Sequence, residues 1–557
     1  MPATPPSLTL GSPRFSDTRL AALATRQGQL AAWLEAVAMD EKEAATGVTG
    51  DFAVAVRRPD GSFFLAVDRF AIQTLCYRVT DGQIRFAARA DELADQNTEV
   101  DPQAIFDYLY FHVIPSPRTI YKGIFRLPAG HFGLFENGQL KVAPYWVPNF
   151  EEPRGASFDA LKDEFRQLLR EAVARQLDGD KAACFLSGGT DSSTVAGMAA
   201  LTGKTVATYS IGFDAQGYDE MEYARLAAKH FKTEHHEYYV TPADLVRSIP
   251  SVAAHFDQPF GNSSALPAYY CAKMAREDGV SKILAGDGGD ELFGGNSRYA
   301  KQRVFGWYGH LPGILQRGLM EPLLGTRAAA AFPLTRKAAS YVGQASVPMP
   351  DRLQMYNLVM RLGVGEVLTP AMLAQVDTAL PLQLQRDVWK MPGTCSALNR
   401  ELAFDWRFTL AESDLPKVIG TTGFAGIGVG FPMLDDHLLA FSLKLPSEYK
   451  LKGMQLRWFF KEALRGFLPD EIITKKKQGF GLPFGVWANN TRQLKALAKD
   501  SLESLAARGV VRSDFVHALL THRLPEHPGY FGEMVWILMM LEQWLRAKAP
   551  QFRVDHL

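Results

Sequence analysis

Three short segments hold the residues best suited to chemistry. Ser187-Gly188-Gly189-Thr190-Asp191-Ser192-Ser193 stands between a short apolar run and a helix-like stretch. Two glycines let a backbone approach an anion closely, and the start of a helix aims unpaired N–H groups at it. Ser187, Ser192 and Ser193 add hydroxyl donors. The chemistry this serves is phosphate binding. Asp191 beside a phosphate is repulsive unless it holds a cation, so it implies Mg²⁺. No Gly-Lys-Ser/Thr follows, which separates the loop from a Walker A motif.

The second segment is Ala285-Gly286-Asp287-Gly288-Gly289-Asp290-Glu291-Leu292-Phe293-Gly294-Gly295, again just past an apolar run. Alone it would be a glycine turn with surface acids. Asp191 and Asp290, however, are 99 positions apart, which is three βαβ steps of roughly 30 residues each. Both aspartates then lie beyond the carboxyl ends of parallel strands, where doubly wound sheets bind ligands. Two carboxylates meeting at one phosphate site read as a Mg²⁺ pair. The third segment is Lys475-Lys476-Lys477-Gln478-Gly479-Phe480-Gly481-Leu482-Pro483-Phe484. A lone triple lysine ordinarily marks a solvated face. Followed by glycines and aromatics, it reads as an ordered loop with one lysine turned inward, able to stabilise charge on a phosphate or a tetrahedral carbon. Which of the three turns inward stays open. His235-His236, at the end of the third strand, have no cysteine or carboxylate at ligand spacing and read as edge-of-strand polar residues.

These segments need elements to position them. From about Gly50 to Tyr145 the chain alternates short apolar runs with the turns Pro59-Asp60-Gly61, Asp81-Gly82 and Asn137-Gly138, a signal for antiparallel hairpins. Residues 150–156 read as a linker, followed by a helix beginning at Phe158. The period then changes. Apolar runs at 182–187, 205–213, 235–240 and 281–289 alternate with helical stretches, which predicts a parallel, doubly wound sheet. Beyond Leu292 the chain reads as mostly helical. The uncharged run 418–434, with five glycines, is too short for a membrane span and reads as a buried loop or glycine-lined pocket.

Composition narrows the class. Sixty basic and sixty acidic residues in 557 balance to zero net charge, which argues against nucleic acid or an anionic membrane as the main partner. Hydrophobic residues at 47% match a folded globular chain. Cys76, Cys184, Cys271 and Cys395 are scattered and form no disulfide framework or zinc pattern. With no apolar signal segment at the start, the expected location is the cytoplasm.

Taken together, SGGTDSS, SIGF, YDEMEYAR, FDQPFGNSSALPAYY, LAGDGGDELFGG and KKKQGFGLPFGVW resemble successive blocks of the asparagine synthetase family. GDFAVAVRR, LAVDRF and FAARADEL resemble the second half of that family's N-terminal glutaminase domain. The resemblance implies two domains: residues 1–150, a degenerate glutaminase-like domain, and residues 151–557, an ATP-pyrophosphatase (PP-loop) synthetase domain with a helical C-terminal part. It implies ATP and Mg²⁺ as cofactors. Leu186, Ser187, Gly188, Gly189, Asp191 and Ser192 would hold pyrophosphate, and Ile211, Ala285 and Gly286 would contact the nucleotide. Asp191 and Asp290 would bind the metal. Asp287 stands where the family usually has a glutamate that helps form the adenylate, and Lys477 would act in the transition state.

Two departures qualify the resemblance. The family's glutaminase uses a cysteine exposed at the N-terminus, whereas Pro2 follows Met1 here and no cysteine precedes Cys76. The first 45 residues look too short for the missing strands, so the β-rich half is expected to be a structural remnant unless the start codon is mis-called. Where the family carries Asp-Arg and Glu-x-Arg, this sequence has Ile419-Gly420 and Gly428 with Gly430. Four lost charges put aspartate in doubt as substrate, and the glycines are expected to leave volume for a larger acyl or amine group.

The expected activity is therefore an ATP-dependent, amide-forming ligase acting on a small-molecule or peptide carboxylate and an amine donor, with homodimerisation left open. Ring-closing relatives, the β-lactam synthetases and lasso-peptide macrocyclases, are alternatives within the family. A non-catalytic scaffold and an RNA-modifying thiolase are alternatives of other classes.

Overall fold

The computed structural model describes residues 7–152, 155, 157–177, 181–215, 217–309, 311–324, 333–475 and 481–554. In the N-terminal region five antiparallel strands pair in the order Leu8–Gly11, Phe52–Arg57, Phe63–Val67, His131–Glu136, Gln139–Pro144. Two of the expected turns close hairpins, Asn137-Gly138 in this sheet and Asp81-Gly82 between Cys76–Thr80 and Gln83–Ala87 of a three-stranded one; both take positive φ at each position, the geometry that matches strand twist. Both faces of the sheet are covered. Phe52, Val54, Val56, Phe64 and Ala66 face Trp33 and its helix, Gln29–Met39. Ala53, Ala55, Leu65 and Val67 face a second, three-stranded sheet through Leu75, Ile84 and Phe86. Two-sided burial is why Phe52–Val56 reads as an unbroken apolar run. The first 45 residues, expected to be too short for missing strands, supply the edge strand Leu8–Gly11 and the two helices Thr18–Gln27 and Gln29–Met39.

The second region is built on five parallel strands: β1 (Lys181–Phe185), β2 (Thr205–Phe213), β3 (Glu234–Val240), β4 (Lys282–Leu284) and β5 (Gly428–Gly430). Their order across the sheet is β3-β2-β1-β4-β5. The chain thus winds outward from β1 to β3, returns, and continues from β4 in the other direction. β1 and β4 are neighbours at the point where the winding reverses. That crevice is where open α/β sheets bind ligands. His235 and His236 open β3 rather than end it. His235 meets the Thr208 hydroxyl at 3.0 Å, and the His236 ring stacks on Tyr209.

The run 418–434 is not a glycine-lined pocket but mostly regular structure, with Val418 alone of its residues at the cavity where β1 and β4 end. Residues Leu415–Ala425 form a helix packed on helix Ala265–Glu277, and Gly428–Gly430 is the outer strand β5, parallel to β4.

The two regions share their cores. Helix Pro102–Phe111 is buried from Gln103 to Tyr110, and Tyr108 donates to the Ile537 carbonyl at 2.8 Å. Glu412 is buried between Arg126 and Arg407 and accepts from Ser116 Oγ at 2.7 Å. Trp146 stacks on Trp406, whose indole N–H donates to the Glu291 carbonyl at 2.9 Å. The β-rich region therefore buttresses the backbone of the acidic loop. The expected linker begins tied down as well: Phe150 N–H donates to Gly393 O at 3.0 Å and Glu151 N–H to Leu443 O at 3.1 Å.

Candidate active site

A cavity of about 1000 Å³ opens at the carboxyl ends of β1 and β4. The glycine loop forms one wall. Gly188 takes φ +72°, and any Cβ there would meet Ala224 N and Tyr223 Cβ at 2.6 Å, so only glycine permits this turn against the neighbouring helix. Ser192 Oγ accepts from Ser187 N–H at 3.1 Å and lies 3.0 Å from Ser187 Oγ, tying the loop into a ring. Helix Thr190–Ala200 starts at the loop and points its first N–H groups toward the cavity side. Ser187, Gly189, Asp191, Ser192 and Leu186 all line the cavity. Ser193 does not: it is fully buried in the helix, and its hydroxyl has no partner among the described residues.

The acidic loop forms the opposite wall, and the two loops touch. A Cβ on Gly286 would come within 2.7 Å of Ser192 N. A Cβ on Gly289 would overlap the Asp191 carboxylate, and one on Gly295 would overlap that of Asp290. Asp191 and Asp290 meet at one group that the sequence pattern did not reveal, the guanidinium of Arg457. Its Nη1 donates to Asp191 Oδ2 at 2.7 Å, to Asp290 Oδ1 at 2.8 Å and to Thr190 Oγ1 at 2.9 Å. Its Nη2 pairs with Asp191 Oδ1. Arg457 is 5% exposed and lies over the Phe460 ring, 4.0 Å from its centroid. Burial alone would lower its pKa, but Asp191 and Asp290 outweigh burial and hold it above the ordinary arginine value.

A third set of charges lies beside the acidic loop. Lys417 Nζ is 2.9 Å from Asp414 Oδ1 and 3.6 Å from Asp287 Oδ1, and all three residues line the cavity. Burial pushes the Asp287 carboxyl up, and Lys417 offsets only part of that. For Lys417 burial acts downward, but Asp414 and Asp287 together keep its ammonium raised. Burial, with Asp290 and Asp414 nearby, pushes the Glu291 carboxyl well above the usual range. Ile211 and Gly286 line the cavity, whereas Ala285 sits fully buried behind the wall and gives its N–H to Gly430 O at 2.9 Å.

Of the three lysines, Lys475 is the one described. It is buried against the cavity, 2.8 Å from Glu220 Oε1 and over the Tyr223 ring. Lys476 and Lys477 lie outside the described residues.

The volume expected from glycines 420 to 430 is not in the cavity. A Cβ on Gly420 would overlap Phe256, and one on Gly430 would overlap Gln176 Oε1 and come within 2.8 Å of Leu284. Gly428 lies on the outer strand against Lys282. The chain's own side chains fill the space. Of residues 415–435 only Lys417 and Val418 line the cavity. Lys417, Asp414 and Arg457 were the residues missed. Lys417 and Asp414 stand just before the uncharged run 418–434, and Arg457 sits in a segment that reads simply as helix.

Two carboxylates within 3 Å of one guanidinium nitrogen, facing a roomy cavity beside a glycine loop at a helix start, suit a divalent cation with a polyphosphate. The carboxylates of Asp191 and Asp290 are oxygens of the kind such an ion takes. A glycine loop after β1 at the reversal of a doubly wound sheet is the arrangement of PP-loop α/β domains.

The chain belongs to the asparagine synthase family: residues 164–546 match Asparagine synthase, and residues 32–146 match the Glutamine amidotransferase domain. It is 25% identical over 514 residues to Asparagine synthetase [glutamine-hydrolyzing] 1 of Bacillus subtilis, covering 90% of this chain and 78% of that protein. It is 24% identical over 446 residues to a putative asparagine synthetase of Mycobacterium tuberculosis, covering 76% of this chain and 65% of that protein. Amidase chyE of Penicillium rubens is 22% identical over 521 residues, covering 82% of this chain and 73% of that protein. Membership makes the chain an asparagine synthase-like, ATP-dependent amide ligase, with ATP and Mg²⁺ as the family's usual cofactors. Among the described residues no helix is long and apolar enough to cross a membrane.

Proposed function

We propose that the protein activates a substrate carboxylate as its acyl-adenylate and transfers the acyl group to an amine. A carboxylate oxygen attacks the α-phosphorus of ATP, the bond to the bridging oxygen breaks, and pyrophosphate leaves. The amine nitrogen then attacks the acyl carbon, the bond to the AMP oxygen breaks, and the nitrogen loses a proton. In this reading Leu186, Ser187, Gly188, Gly189 and Ser192 cradle the phosphates through backbone N–H groups and hydroxyls. Asp191 and Asp290 hold Mg²⁺, which when bound neutralises phosphate charge. Ile211 and Gly286 flank the nucleoside, while Ala285, behind the wall, fixes Gly286 through its bond to Gly430. Asp287, with Lys417 and Asp414, faces the acyl and amine end, and Lys477 supplies a cation to the transition state. Residues 1–150 and 151–557 are the two functional regions.

The observation that carries this reading is the meeting of Asp191 and Asp290 on Arg457 at the mouth of β1 and β4. We further propose that the amine is not released by the chain's own glutaminase. Cys76, the cysteine within the amidotransferase match 32–146, is buried, as are Cys184 and Cys271, and burial raises all three thiols, Cys184 to about 12; Cys395 is exposed but lies outside that region. A buried thiol with a raised pKa is a poor nucleophile.

The test is exchange of labelled pyrophosphate into ATP across a panel of carboxylic acids, followed by product formation with ammonium or glutamine. An accepted acid drives exchange, and ammonium but not glutamine completes the amide. A chain that gives no exchange with any acid, while binding ATP, would not be an adenylating ligase.

A further inference from the structure

We infer that Arg457 is a resident counter-cation that reserves the two carboxylates, so that a divalent metal enters with the triphosphate and not before it. The inference rests on the reading of Asp191 and Asp290 as the metal pair. Three features make Arg457 more than an incidental partner. Its guanidinium spans both acidic residues and Thr190 at once, taking lone pairs that a metal would need. It is held from the other side by the Phe460 ring and from below by its backbone N–H, which donates to Gly294 O at 3.2 Å. The residue also takes φ +56° and ψ +34°, a left-handed conformation uncommon for arginine, at the start of helix Trp458–Ala463. This corner of the chain is thus fixed where it delivers the guanidinium to the acidic loop.

The electrostatics set the order of events. Two carboxylates packed this closely repel unless a cation lies between them. A divalent ion bound directly to both would lie close to Nη1, and the repulsion between two cations brought together in a buried site favours displacing the guanidinium. Metal arriving alone would leave Arg457 buried beside it without a new acceptor. Metal arriving with a triphosphate brings acceptors suited to a guanidinium, which binds phosphate through paired N–H donors. Lys461, one helical turn further on, also lines the cavity, and burial and Arg457 both lower its pKa. A triphosphate in the cavity would give both Arg457 and Lys461 acceptors on that side.

The experiment uses the full chain and Mn²⁺ as the probe, with free Mn²⁺ followed by electron paramagnetic resonance, alone and with α,β-methylene-ATP. Wild type is expected to bind Mn²⁺ weakly alone and well with the nucleotide analogue. Arg457→Met is expected to bind Mn²⁺ alone more tightly, on the order of 10–100-fold, and Mn²⁺ with the analogue less tightly. Arg457→Lys, one donor in place of a fork, is expected to fall between, and it carries the test if the methionine variant melts early. If Arg457→Met folds and binds free Mn²⁺ no better than wild type, the reservation is wrong, while the metal–nucleotide reading stands as long as the analogue recruits Mn²⁺. If wild type binds no Mn²⁺ even with the analogue, the metal reading itself fails and the inference with it.

Discussion

Two stretches of this chain, 286–295 and 420–430, carry five glycines each and use them in opposite ways. In the first, the space a side chain would take at Gly289 and Gly295 is filled by the carboxylates of Asp191 and Asp290. In the second, the space at Gly420 and Gly430 is filled by Phe256, Gln176 and Leu284. One set admits charge into a cavity, and the other closes a helix and an outer strand against their neighbours. Glycine content says that something approaches closely. What approaches depends on where the strands place the segment: the first follows β4 at the reversal of the sheet, and the second forms its edge.

Substitutions in the two stretches should therefore fail differently. The largest effect belongs to the charges themselves. Asp191→Asn is expected to lower pyrophosphate exchange on the order of 10²–10³-fold. Gly289→Ala removes no charged group but pushes the Asp191 carboxylate aside. Misplacement of about 1 Å costs about 10²-fold, so exchange should fall by that order with little change in thermal midpoint. Gly420→Ala should do the reverse. Overpacking against Phe256 is expected to cost about 1–3 kcal/mol in denaturant unfolding, with exchange per folded molecule unchanged. If Gly420→Ala lowers exchange and spares stability, the contrast between the stretches is false.

The smallest effect is a shift in pH dependence. Asp287 is held above the usual carboxylate range by burial, and Lys417 opposes that rise. Lys417→Met removes the opposing charge, so the Asp287 pKa moves further up and less of it is ionised at a given pH. The acid limb of kcat/KM should then move to higher pH, while the wild-type limb stays lower. An unmoved limb would mean that Asp287 does not titrate in the step observed.

Much of the site was legible because its two loops are local signals placed by a regular fold. Each loop follows a strand that reads as apolar in sequence, and the βαβ count brings the loops to one edge. What stayed hidden depends on long-range or atypical geometry. Arg457 is 266 positions from Asp191 and acts through a left-handed residue, which no periodicity announces. Strand β5 is three residues, Gly-Val-Gly, too short and too glycine-rich to register as a strand. The burial of helix Pro102–Phe111 on all sides leaves no amphipathic face to mark it. Lys417 stands immediately before the uncharged run 418–434, and nothing in its local pattern marks it as a side chain that reaches the cavity.

The central claim is that the two loops close on one metal-bound triphosphate. Crystals grown with Mn²⁺ and α,β-methylene-ATP, measured for anomalous scattering, test it most directly. The account predicts a manganese peak coordinated by oxygens of both Asp191 and Asp290, beside phosphates lying along the 187–192 loop. A peak ligated by neither carboxylate, or phosphates seated elsewhere in the molecule, would contradict it.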